Sequence, residues 1–265
     1  MKLEEAKRVI EESGYKVQEV EALKGSCMVQ GLSIGEGTVR PTVYASVIKD
    51  MDEQELLSFV AHSVDQVPQI DLAFTKDKDY ILDHCVSCIR HRTGDERAVK
   101  WEVYGDLEEY VRINLGNDDN NNNMSTVVTH ELLESSGVSR EELRAYARKN
   151  LKKTVRIQSM TEVLSGLMGD MTMEVPEPDV MMYVATNESR VNGAAVMLLD
   201  NVLKDFCKKH NLDSINIIPC SVHEIILTSA KMPLCEIDSM IREVNTSQVD
   251  PWDQLSDHVY TFLAA

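Results

Sequence analysis

The stretch Ile217-Ile218-Pro219-Cys220-Ser221-Val222-His223-Glu224-Ile225-Ile226-Leu227 most restricts what this chain can fold into. Two apolar β-type runs flank a short polar knot, so the stretch reads as strand, kink, strand. The sequence around it is regular. Val180–Ala185 reads as a strand, Asn192-Gly193 as a turn and Ala194–Leu199 as a second strand. Asp200 then caps a helix to about His210. Ile215–Ile218 and Ile225–Thr228 are strands, Leu234–Val244 is a helix with Asn245 at its end, and His258–Phe262 is a last short strand. The order ββαββαβ has hairpins and no regular βαβ alternation. It predicts an α+β protein, with mostly antiparallel sheets and helices packed on one face.

The preceding residues follow the same logic. Residues 3–13 have Leu3, Ala6, Val9 and Ile10 on one helical face, and Gly14 ends the helix. Lys16–Glu21 and Ser26–Leu32 alternate about a Lys24-Gly25 turn, and Val39–Ile48 follows. Asp52 caps a helix to about Val67, and Pro68 stops it. Tyr80–Arg92 reads as one strand and Tyr110–Leu115 as another. Asn117–Asn123 reads as a hairpin tip and Met124–Thr129 as the partner strand. A helix from His130 to Ser136 stops at Gly137. Ser139 and Glu142 form a capping box for a helix to about Lys152, and residues 157–168 read as one more. Gly169–Asp179, with Pro176 and Pro178, is the expected linker between an N-terminal lobe, 1–168, and a C-terminal lobe, 180–265.

Charge narrows the function classes. The chain has 44 acidic and 27 basic side chains, a net charge of −17. Such a surface repels a phosphate backbone, which argues against direct nucleic-acid binding or an anionic membrane. It allows a protein partner with a basic surface, or mimicry of nucleic acid. No apolar run is long enough to span a bilayer, and the start of the sequence lacks the pattern of a secretory signal. Cys27, Cys85, Cys88, Cys207, Cys220 and Cys235 are dispersed, as in reduced cytosolic proteins, so a cytoplasmic location is expected.

Several motifs come in a recognisable order: Asn192–Leu198, Ile218–Ile226, Arg242–Val249 and Leu255–Tyr260, with Pro41–Tyr44 and Val138–Leu143 upstream. In these the chain resembles a bacterial family known as domain of unknown function 5688, common in anaerobic gut bacteria and often on mobile elements. The resemblance implies a soluble cytoplasmic protein and supplies no activity. One departure is Cys220, where the family more usually has serine.

Four residues of the knot are candidates for catalysis: Cys220, Ser221, His223 and Glu224. A nucleophile needs a base within reach and an orienting group behind it. Along a strand, Ser221 and His223 share a face while Glu224 points away, so Glu224 cannot orient His223 locally. Ser221 also lacks the glycine-rich turn of a nucleophile elbow. The bland alternative is a break in a sheet whose polar groups bond nearby backbone. His84, Cys85, Cys88 and His91 could hold zinc, but Cys85 and Cys88 face opposite ways on a strand and no second cysteine pair exists. No cofactor is expected. Candidate binding residues are Asn192, Asn245, Asp257, His258, Glu174 and Glu177. The leading expectation is a non-enzymatic protein-binding or regulatory module. The alternatives are a hydrolase centred on Ser221 and His223, and an acidic mimic of nucleic acid that blocks a basic partner.

Overall fold

Alternation and capping, the local signals of the sequence, are both realised in the structure. The computed structural model describes residues 1–68, 70–117, 123–168, 181–229 and 233–264. They fall into two units, one built on Met1–Leu72 and one on Ala73–Gly116 together with Asn123–Ala265.

In the first unit, α1 (Leu3–Glu12) is followed by β1 (Val17–Lys24), β2 (Cys27–Ile34) and β3 (Thr42–Tyr44), then α2 (Ala45–Ile48) and α3 (Glu53–Asp65). The strands form an antiparallel sheet in the order β1-β2-β3, and Lys24 pairs with Cys27 across the expected turn. Asp52 accepts from the Glu55 N–H at 2.8 Å, and Glu55 accepts from the Asp52 N–H at 3.0 Å, which closes a capping box on α3. Ala6, Val9 and Ile10 of α1 bury against Leu32, Ile34, Leu56 and Val60.

The second unit opens with α4 (Lys78–His84), β4 (Cys85–His91), β5 (Lys100–Val103), β6 (Leu107–Asn117) and β7 (Asn123–Val127). These strands make one sheet, β4-β6-β5, with β7 paired to β6. The single strand expected over Tyr80–Arg92 is therefore a helix followed by a strand. Asp77 accepts from the Tyr80 N–H at 3.0 Å, and this N-cap starts a turn that buries Ile81 and Leu82. Next come α5 (His130–Ser136) and α6 (Arg140–Lys153). Gly137 ends α5 at φ 68°, and Ser139 with Glu142 closes a capping box on α6, both as expected.

The chain continues with β8 (Val155–Ser159), α7 (Met160–Met168), β9 (Met182–Asn187), α8 (Asp200–His210), β10 (Ser214–Ile218), β11 (Ile225–Thr228), α9 (Leu234–Gln248) and β12 (Tyr260–Leu263). A five-stranded sheet runs β12-β10-β11-β9-β8, and the recorded pairs are antiparallel. The expected linker, 169–179, lies outside the described residues. On either side of it β8 and β9 pair directly, Ile157 opposite Ala185.

The other correction concerns Ala194–Leu199. Gly193–Leu198 is a 3-10 helix, and all six of its residues are buried. It lies against β4, β9, β11, α6 and α8. A segment buried on every side carries no hydrophobic period, so its sequence could not separate helix from strand. Ile215, Ile217, Ile225 and Leu227 share its core, while Ile218, Ile226 and Thr228 face the opposite way, towards α9.

Candidate functional site

Alternation along β10 and β11 delivers the knot between them, and hydrogen bonds fix its shape. The Ser221 N–H donates to the Glu224 carbonyl at 3.2 Å, and Ser221 Oγ accepts from the His223 N–H at 3.0 Å. This is a serine turn, in which the hydroxyl is occupied by local backbone. His223 Nδ1 accepts from the Asn192 N–H at 3.2 Å, and its Nε2 lies 3.4 Å from Asp253 Oδ1. An imidazole that accepts at Nδ1 carries its proton at Nε2, facing the carboxylate. The nitrogen that would serve as a base is therefore spent on backbone, and among the described residues no bond joins the imidazole to Ser221 Oγ. Burial, then the neighbouring Glu224 charge, push the Cys220 thiol up to about 12, so it is not an activated thiolate.

The same knot receives the loop after β9. Asn192 is left-handed at φ 55°. Gly193 then passes so close to the knot that an added Cβ would meet Thr186 Oγ1 at 2.2 Å and the His223 carbonyl at 2.7 Å. Asp253 also accepts the Val222 N–H through its carbonyl at 2.8 Å. Its turn joins the knot to the second group of expected residues. Asn245, 4% exposed inside α9, donates to the Ser256 carbonyl at 3.1 Å and to Asp257 Oδ1 at 2.8 Å. His258 Nδ1 lies 3.8 Å from Asp238 Oδ2. Ser256 Oγ and Tyr260 Oη each donate to Asp106 at 2.6 Å, an anchor that the sequence reading missed. Glu174 and Glu177 lie outside the described residues.

Beside the knot is a groove of about 330 Å³ between α9 and the sheet. Met182, Ile218 and Ile226 line the sheet side, and Met240 and Val244 line the helix side. Cys220 and Asn245 also reach it. Ile237 and Ile241 are the buried pair that seats α9, whereas Met240 is 56% and Val244 47% exposed. The apolar stripe of α9 is thus wider than its seat requires. That width, two further apolar residues at i, i+4 spacing, is the sequence signal that could have located the groove.

The metal candidates do not converge. Cys85 packs in the core with Leu143, while Cys88, on the other face of β4, lies beside Tyr110. Burial raises both thiols to about 12. His84 stacks on Tyr80 at 4.0 Å, and His91 is exposed. Elemental analysis of the purified protein is expected to find no stoichiometric zinc. One zinc per chain, lost on Cys85→Ser with Cys88→Ser, would contradict this geometry.

A family model described as "Family of unknown function (DUF5688)" matches residues 3–263. The chain belongs to that family. No curated protein and no solved structure matches this DUF5688 chain. Among its described residues no helix is long and apolar enough to cross a membrane.

Proposed function

We propose that this protein is a non-enzymatic protein-binding module. Its binding surface is the groove beside α9, and its ligand is an amphipathic helix that carries lysine or arginine. The observation that carries this reading is the exposed Met240 and Val244 pair over an apolar groove. Exposed apolar surface of this kind favours a helix laid in a groove, and methionine adapts its shape to such a ligand. Charge selects the ligand. At 100° per residue, Glu236 and Glu243 fall on the solvent side of Met240, and both are exposed. A basic residue flanking an apolar anchor meets those carboxylates. The occupied Ser221 hydroxyl and His223 ring support the same reading against a hydrolase.

A helical peptide of leucine and lysine tests it by surface-based kinetics. Association is expected to slow as salt rises, because the Debye length is about 10 Å at 0.1 M and shrinks further with added salt. Glu236→Lys with Glu243→Lys should slow association more than it speeds dissociation. Salt-independent binding, or an unchanged on-rate in the double variant, would refute the acidic rim.

A further inference from the structure

We propose that the recess between the edge strand β5 and the start of α6 binds a small phosphate-bearing anion. The recess has a volume of about 500 Å³. In a chain of net charge −17 it gathers Arg92, Lys100, Arg140, Arg144 and His130.

The carboxylates in its wall are already engaged. Glu102 pairs with Arg92 at 2.5 Å. Glu108, 2% exposed, accepts from Arg90 Nε at 2.7 Å and Thr93 Oγ1 at 2.8 Å, and lies 3.5 Å from Lys100 Nζ. Glu96 sits 4.0 Å from the same lysine. Arg144 gives its Nε to Glu109, which Arg148 shares. Among the residues that line the recess, four cations (Arg92, Lys100, Arg140, Arg144) face three carboxylates (Glu96, Glu102, Glu108). The surplus is one positive charge, which favours an anionic ligand in a chain that is otherwise strongly acidic.

The surplus is also positioned. Arg140 has no carboxylate partner among the described residues. Its guanidinium lies 4.9 Å from the Trp101 ring centre and donates to the Lys100 carbonyl. Arg144 lies 5.0 Å from the same ring. Its Nε is fixed by Glu109 at 2.8 Å, and its terminal nitrogens have no acceptor among the described residues. Two guanidiniums held one turn apart on one indole are donors set in place before a ligand arrives, and a guanidinium fork suits a phosphate oxygen pair. Behind Glu108, Arg90 is 4% exposed and its Nη2 has no acceptor among the described residues.

The test uses the full chain with Trp252→Phe, which leaves Trp101 as the sole tryptophan. Inorganic phosphate, glycerol phosphate and acetate are titrated at constant ionic strength. Binding is read by Trp101 fluorescence and, for the phosphates, by 31P line width. A saturable response to inorganic phosphate or glycerol phosphate is expected, about tenfold or more weaker in Arg140→Gln, from the loss of one charge-assisted contact. Circular dichroism confirms that the variant is folded. The tighter of the two phosphates distinguishes the free anion from a phosphomonoester. No saturation in either readout, equal binding of acetate, or an unchanged affinity in folded Arg140→Gln would overturn the proposal.

Discussion

Glu109→Ala is expected to lower the unfolding free energy by about 3 kcal/mol, the lower end of the range for removing one partner of a buried charge cluster. Glu109 is fully buried and accepts from Ser87 Oγ at 2.9 Å, from Arg144 Nε at 2.8 Å, and from Arg148 Nε at 2.8 Å and Nη2 at 2.6 Å. Arg144 and Arg148 keep side-chain exposures of 32% and 33%, so both can turn to water when the carboxylate is gone. That partial relief sets the lower end. The loss is read as a fall in the urea midpoint at constant m-value. Acid sensitivity follows from the same cluster. Burial alone would raise the Glu109 carboxyl, but Arg148 and then Arg144 outweigh it and hold the group below the usual 4.5. A depressed carboxyl stabilises the fold above its unfolded pKa, and this stability is lost as pH falls through the lower, folded value. Glu109→Gln should therefore flatten the decline in stability below about pH 4.5.

Gly193→Ala is expected to cost about 3 kcal/mol or more, at the upper end for forcing an extra methyl into packed surroundings. The added Cβ would come within 2.7 Å of both the Asn187 nitrogen and the His223 carbonyl, which are backbone and cannot swing aside. It would also enter the 2.7 Å hydrogen bond from Thr186 Oγ1 to the His223 carbonyl. Thermal unfolding of the variant measures the cost. A midpoint within a degree or two of the parent would mean that the loop after β9 does not pack against the knot.

These residues also mark where the sequence was legible. Asp52, Ser139 and Gly137 declare helix ends through bonds to residues three or four positions away, and the structure reproduces all three. Lys24-Gly25 declared its hairpin in the same local way. Glu109 declared nothing, because its partners Arg144 and Arg148 lie on α6, more than thirty residues downstream. Gly193 looked like half of a turn, whereas its role depends on Thr186 and His223 from two other segments. At the knot, sequence brought Ser221 and His223 to attention. It could not show that Asn192 and Asp253 occupy the ring, since neither is near in the chain. Val155–Ser159 runs into the following helix by its sequence pattern, because its strand identity comes from pairing with β9.

The groove beside α9 is tested most directly by methyl NMR on protein labelled at the methionine ε-carbons. Met182 and Met240 line the groove, while Met197 is fully buried in the 3-10 helix and serves as an internal control. On titration with the leucine–lysine helix, the Met182 and Met240 signals should move together and saturate, the Met197 signal should stay fixed, and Val244→Asp should abolish the response. Saturable binding that leaves Met182 and Met240 unmoved, or a titration with no response at any methionine, would contradict the account.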